Sequence, residues 1–208
     1  MTDTVDLLVE GTLVDVNTGQ LEERTVAVDD GEIVGFGARP AARTIEAEYV
    51  TPGLIDAHMH VEASMVTIPQ YGDAAIPHGV TAVVHDPHEI ANVLGADGVR
   101  KFRADADRTP LKARMTVPSS VPASELQDTG AALDSGAVAE LLELDDAIAL
   151  GEVMDLDGVL SDDDEIHGKI ASAREHGMPI DGHVPGVTGP QLQELARYLD
   201  NDHESVEL

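Results

Sequence analysis

The chain has 208 residues, with 40 Asp plus Glu against 12 Lys plus Arg, a formal net charge of −28. Such a surface repels nucleic-acid phosphates and anionic membranes, so neither is expected as a partner. The absence of cysteine excludes disulfides and thiolate ligands, leaving His, Asp and Glu to hold any metal.

The first fifty residues read as short strands separated by turns. Val5–Val9 and Gly11–Val16 are strand candidates, Asn17-Thr18-Gly19 a turn, and Thr25–Val28 a third strand. Asp29-Asp30-Gly31 then makes a hairpin turn into Glu32–Phe36. Together they form a small antiparallel β unit over residues 1–50, with too little apolar surface to stand alone.

From Thr51 to the last residue, 208, short apolar strands alternate with helical stretches, the pattern of βα units around a parallel sheet. Strands are predicted near 53–58, 80–85, 111–117, 147–153, 178–183 and, more weakly patterned, 199–203. Helices are predicted near 66–77, 89–106, 134–145, 161–176 and 189–198. Acids such as those of Ser161-Asp162-Asp163-Asp164-Glu165 suit a helix start. The core must come from Ala, Val, Leu and Ile, because aromatics are 2% of the chain and Trp is absent. No apolar run approaches the ~20 residues of a membrane span and no signal pattern opens the chain, so a cytoplasmic location is expected. Because the acids are spread evenly rather than gathered in a tail, they suit a folded protein of a high-salt cytoplasm, where cations screen self-repulsion.

Chemistry-bearing residues fall at the predicted strand ends. His58 and His60 close the first strand, and two histidines one apart on a strand point to one face, where they can grip a single ion. His85-Asp86-Pro87-His88-Glu89 closes the second strand, Glu152 the fourth, His183 the fifth and His203 the sixth. The C-terminal ends of parallel barrel strands converge on one mouth, where such enzymes place their active sites. Any one of these histidines alone reads as structural or solvated; the recurrence at successive ends favours a metal site. For Asp86, His88 and Glu89 the alternative is a loop turn and helix start, with Asp86 as N-cap and Pro87 in the first turn. His78 and His167 read as surface residues, and Glu62 and Ser64 as a pocket rim or a solvated loop.

Pro52-Gly53-Leu54-Ile55-Asp56-Ala57-His58-Met59-His60 resembles the signature of the amidohydrolase superfamily. Within it, His60-Val61-Glu62-Ala63-Ser64-Met65 and Pro77-His78-Gly79-Val80-Thr81 resemble the adenine deaminases. So does Asp86-Pro87-His88-Glu89-Ile90-Ala91-Asn92-Val93-Leu94-Gly95, and Gly151–Met154 and Asp181–Gly186 fit as well. The resemblance implies an α/β chain: part of a TIM-like (β/α)8 metal-dependent hydrolase barrel, with about six strands, preceded by part of a β-sandwich. It implies a centre of two divalent ions, manganese or iron in preference to zinc. His58 and His60 would hold one ion, His183 and His203 the other, and Glu152 would bridge them. The implied reaction is hydrolytic deamination of adenine to hypoxanthine and ammonia, with water activated at the metals. Asp86, His88 and Glu89 are placed to move protons or make a polar contact.

A complete barrel of this kind has eight strands and ~250 residues. The resemblance places strands seven and eight, an aspartate metal ligand and a C-terminal domain beyond residue 208. Activity is therefore expected of a longer polypeptide. Two alternatives stand beside it: an inactive short paralogue that binds at most metal, a partner or a second copy, and an amidohydrolase acting on another cyclic amide or an N-acetyl sugar.

Overall fold

A computed structural model describes residues 4–124 and 126–202. The chain divides into two compact units, Met1–Gly53 and Leu54–Leu208.

The first unit is a four-stranded sheet of β1 (Val5–Asp15), β2 (Gln20–Asp29), β3 (Glu32–Phe36) and β4 (Ala41–Val50), in the order β3-β2-β1-β4. Both predicted turns are present. The Asp15 carboxylate accepts the N–H groups of Asn17 and Thr18, at 2.9 and 3.2 Å, and folds the first hairpin. Asp30 and Gly31 take φ of 50° and 77°, the left-handed pair that a tight hairpin requires.

Two features differ from the sequence reading. The segments 5–9 and 11–16 are one strand, β1, whose register against β4 shifts between Glu10 and Thr12. A side chain at Gly11 would strike the Ala47 carbonyl, so the glycine sits where a bulged strand passes close to its neighbour. The sheet is also mixed rather than antiparallel, because β4 runs parallel to β1. The segment AARTIEAEYV gives little strand signal: helix-favouring Ala and Glu dominate it and most of its positions are exposed on the sheet edge.

The second unit is a curled six-stranded half-barrel, every pairing parallel, in the order β10-β9-β8-β7-β6-β5. Its strands are β5 (Leu54–Met59), β6 (Val80–His85), β7 (Lys112–Pro118), β8 (Ala147–Val153), β9 (Ile180–Gly182) and β10 (Asn201–Asp202). Between them run α1 (Ile68–Ala75), α2 (His88–Ala106), α3 (Ser135–Leu142), α4 (Leu156–Leu160), α5 (Asp164–Glu175) and α6 (Gly189–Leu195). All six predicted strands are present, and their sequential order is that of a barrel wound from successive βα units. No helix among the described residues is long and apolar enough to cross a membrane.

Helix starts follow their capping residues. The Asp134 carboxylate accepts from Ala137 N–H and opens α3; Asp163 accepts from the N–H groups of Glu165 and Ile166 and opens α5. The predicted start at Ser161 falls later because the short α4 precedes α5, its own cap being Asp155. α2 breaks at Gly95, where φ is 62° and ψ −150°.

The core lies between β7, β8, β9 and the helices that cover them, and includes Met115, Val117, Leu141, Leu150, Ile170 and Ile180. β8 is buried at every position but Ile148, as expected of a central parallel strand covered on both faces. At the other edge, among the described residues, β5 pairs with β6 alone, and Leu54 and Ile55 are 56% and 67% exposed. An apolar strand edge of this kind is a template for further pairing.

Candidate metal centre

The ends of five neighbouring strands carry the polar cluster. Glu152, next to last in β8, takes φ of 34°, a left-handed conformation in a residue that is not glycine, and is 4% exposed. That turn brings its carboxylate to the histidines of β5. Oε1 lies 2.9 Å from His58 Nε2 and 3.3 Å from His60 Nε2, and the two Nε2 atoms are 3.3 Å apart. The other oxygen, Oε2, lies 3.0 Å from His88 Nδ1.

Neighbouring backbone and carboxylates set the rings. His60 Nδ1 is 2.8 Å from the Asp86 carbonyl, which can only accept, so the proton is on Nδ1 and Nε2 is left for a ligand. His58 Nδ1 faces the Asp181 carboxylate at 3.7 Å. Asp86 is fully buried; Thr116 Oγ1 donates to its Oδ2 at 3.0 Å, and its Oδ1 faces His88 Nδ1 at 3.3 Å. Asp86 thus does not cap α2. Pro87 occupies the N-cap position without a side-chain bond, and the Asp86 carboxylate turns inward to Thr116 instead.

The electrostatics follow from one buried anion among imidazoles. Burial would raise the Glu152 pKa, but hydrogen bonds from His58, His60 and His88 outweigh it and hold the carboxyl well below the ordinary range. The hydrogen bond to Glu152 raises His58 and, with the Asp86 carbonyl helping, takes His60 up to about 9. Burial opposes charge on His88, yet Asp86 and Glu152 bring it to about 10. Glu62 and Glu89 add a second acidic pair at the rim: burial, then the Glu89 carboxyl, pushes Glu62 up to about 7.

Four residues, His60, Asp86, His88 and Glu152, bring ligand atoms within 4.8 Å of one another. The donor set is imidazole and carboxylate, suited to borderline and hard divalent ions. Two nitrogens each ~2.1 Å from one ion stand ~3.0–3.4 Å apart, and the 3.3 Å between His58 Nε2 and His60 Nε2 fits that span. His88 Nδ1 and Asp86 Oδ1 are shielded from solvent and face each other at 3.3 Å, a buried nitrogen and carboxylate oxygen close enough to share a cation. The residues present therefore fit a divalent metal.

Of the residues singled out in the sequence, the fold brings together His58, His60, Glu152, Asp86, His88 and Glu89. His183 follows β9 directly, and its N–H donates to the Val153 carbonyl at 3.2 Å, placing it at the next strand end. His203 lies outside the described residues. His78 is exposed as expected, whereas His167 is half-buried, with Nε2 2.9 Å from the Val159 carbonyl. The sequence reading gave no role to Thr116 or Asp181. Asp181 sits two residues before His183, but nothing local says that it faces His58; Thr116 is hidden inside an ordinary apolar strand. Beside the cluster opens a cavity of about 480 Å³, lined by His88, Glu89, Asn92, Ser120, Thr129 and Met154 among others. That is within the ~300–1,000 Å³ of small-molecule sites.

A half-barrel with imidazoles and a carboxylate at the carboxyl ends of its strands has the layout of a metal-dependent hydrolase. The Amidohydrolase family model matches residues 49–204, and the chain belongs to that family. Among curated proteins it is 42% identical over 195 residues to an adenine deaminase of Desulfatibacillum aliphaticivorans, covering 92% of this chain and 34% of that protein. It is 40% identical over 211 residues to the adenine deaminase of Halalkalibacterium halodurans, covering 98% and 36%. The chain thus spans about a third of the length of the curated relatives it matches. A D-aminoacylase variant solved with copper chloride superposes with a TM-score of 0.64 at 19% identity, over 95% of this chain and 50% of that one. N-isopropylammelide isopropylaminohydrolase from Burkholderia multivorans gives 0.57 at 15% identity, over 93% and 56%. At these identities the likeness is one of fold.

Proposed function

We propose that this chain carries the metal-binding part of an adenine deaminase. The observation that carries the proposal is the convergence of His58 Nε2, His60 Nε2 and Glu152 Oε1 at neighbouring strand ends. The adenine deaminases similar to this chain over more than nine-tenths of its length support adenine as substrate.

In this reading His58 and His60 would hold one divalent ion, His183 and His203 would hold a second, and Glu152 would be a ligand common to both. Manganese or iron is preferred to zinc. Such ions, when bound, supply Lewis acidity and lower the pKa of water. The chain's own residues do the rest. Glu152, anionic and anchored, sets the spacing of the site. Asp86 fixes the Nδ1 side of His60 through its carbonyl, turning Nε2 toward Glu152, and orients His88 through its carboxylate. His88 and Glu89 line both the cluster and the cavity, where they can pass a proton to a purine ring nitrogen and to the departing amine. Water adds to C6, the C6–N bond breaks, and hypoxanthine and ammonia leave.

Turnover, in this reading, requires two further strands to close the barrel between β10 and β5. The exposed apolar edge of β5 supports that requirement. The 208-residue chain by itself is then a metal-binding protein with little deaminase activity.

The test is metal analysis and ammonia release on the purified chain loaded with manganese or iron. His58→Ala should reduce bound metal; unchanged metal content would remove the site assignment. Rapid deamination of adenine by the 208-residue chain would show that the extra strands are dispensable.

A further inference from the structure

Lys169, on α5, is 8% exposed and has no part in the chemistry above. Burial lowers its pKa, against the opposing carboxylates of Glu165, Asp155, Asp134 and Asp163. A buried ammonium needs a specific partner, and this one donates to the Ser119 carbonyl at 2.8 Å.

Ser119 lies just beyond β7 and grips β8 twice. Its N–H donates to the Gly151 carbonyl at 3.2 Å, and its hydroxyl donates to the Glu152 carbonyl at 3.0 Å. The Ser120 hydroxyl, 3.1 Å from that of Ser119, accepts the Met154 N–H at 3.0 Å. Three bonds therefore hold the backbone on both sides of Glu152. Ser119, Ser120 and Glu152 are 1%, 3% and 4% exposed, so water cannot replace them. The residue between those bonds has the left-handed φ of 34°. Such a backbone persists in a residue other than glycine only where its surroundings over-determine it.

We infer that Lys169 is a positioning residue for Glu152: its ammonium pins the Ser119–Ser120 pair, which holds Glu152 in the left-handed turn that aims its carboxylate at His58, His60 and His88. The inference rests on the reading of Glu152 as a metal ligand. Lys169 touches neither metal nor substrate. It acts through the hydrogen bonds of Ser119 and Ser120, and its effect belongs on metal affinity before stability.

Competition between the full chain and a chelator for Mn2+ tests this, alongside the thermal midpoint and circular dichroism of the metal-free protein. Lys169→Met and Ser119→Ala should each weaken Mn2+ binding ~10–100-fold, the usual cost of removing a partner that orients a ligand. Lys169→Arg, which keeps a cation at the same place, should recover much of the loss. Ile170→Ala, an adjacent core truncation on α5, should lower the midpoint while leaving Mn2+ affinity in place. Equal weakening by Ile170→Ala would make the effect one of general stability and overturn the inference. Wild-type affinity in Lys169→Met, with weakened binding in Glu152→Gln, would overturn it too. If Lys169→Met does not fold, wild-type affinity in both Ser119→Ala and Ser120→Ala does the same. Wild-type affinity in Glu152→Gln would instead remove the metal reading itself.

Discussion

Gly151→Ala should be among the most damaging single-methyl additions in this chain. A methyl group on Gly151 would stand 2.5 Å from Thr116 Oγ1 and 2.8 Å from Thr116 Cβ, and would overlap Asp86 Oδ2 outright. Neither neighbour can swing into solvent, since Asp86 is 0% and Thr116 4% exposed. The methyl must therefore break the Thr116–Asp86 hydrogen bond, which as a bond to a charged acceptor contributes about 1.5–3 kcal/mol. Overpacking of a closed core adds about 1–3 kcal/mol. The sum, about 2.5–6 kcal/mol, is a large fraction of the ~5–15 kcal/mol that holds a domain together. Urea unfolding of the metal-free protein reads this directly. Mn2+ competition reads the second consequence, because a displaced Asp86 no longer fixes His60 and His88. Thr116→Ala combined with Gly151→Ala should cost less than the two singles together, since both break the same bond. A loss below ~1 kcal/mol in Gly151→Ala, with metal affinity intact, would mean that Asp86 relocates freely and is not a fixed part of the site.

Burial lowers the pKa of His85, on β6, to about 4, so the folded protein resists a proton that the unfolded chain accepts near 6.5. Its stabilising contribution is complete above pH ~6.5 and disappears as pH falls to ~4, a total of about 3 kcal/mol. His85→Leu, which keeps the edge contact with Phe102 apolar, should flatten the stability–pH curve over that range in chemical denaturation. An unchanged slope would refute the buried neutral histidine. The raised values of His60, about 9, and His88, about 10, work in the opposite direction. In metal-free protein their ion pairs with Glu152 contribute fully below pH ~6.5 and are lost as pH rises through 9 to 10. Because a metal would need the His60 nitrogen deprotonated, Mn2+ affinity should climb as pH rises toward 9, and calorimetry in two buffers should detect released protons. A flat affinity from pH 7 to 10 would show that His60 is not a ligand.

The half-barrel was legible because its strands are short apolar runs between helix-period segments, and every such run from 53–58 to 178–183 became a strand in the same order. β4 was not, since an exposed edge strand has no buried face to impose alternation on Ala, Arg and Glu. Strand-end histidines were legible for a geometric reason: each stands where a predicted strand stops. Their partners were less so. Asp86 carries a helix-start signature in its local sequence, and only the fold reveals that Thr116, thirty residues on, claims its carboxylate from the neighbouring strand. Ser119 and Lys169, fifty residues apart, have no sequence relation to Glu152 at all.

The His58–His60 pair defines an ion's position only if something opposite it is equally fixed. In the proposed site that something is Glu152, whose placement depends on three levels of support that differ in kind. Gly151 leaves the room that Asp86 and Thr116 occupy. The Ser119 and Ser120 hydroxyls and the Ser119 N–H hold the backbone of the turn. Lys169 anchors that grip from the helical layer. A site assembled this way tolerates little loss at any level, because a buried carboxylate that is misdirected has neither water nor another cation to satisfy it. The damage from Gly151→Ala and from Lys169→Met should therefore converge on one readout, Mn2+ affinity, although the two residues lie on different secondary-structure elements.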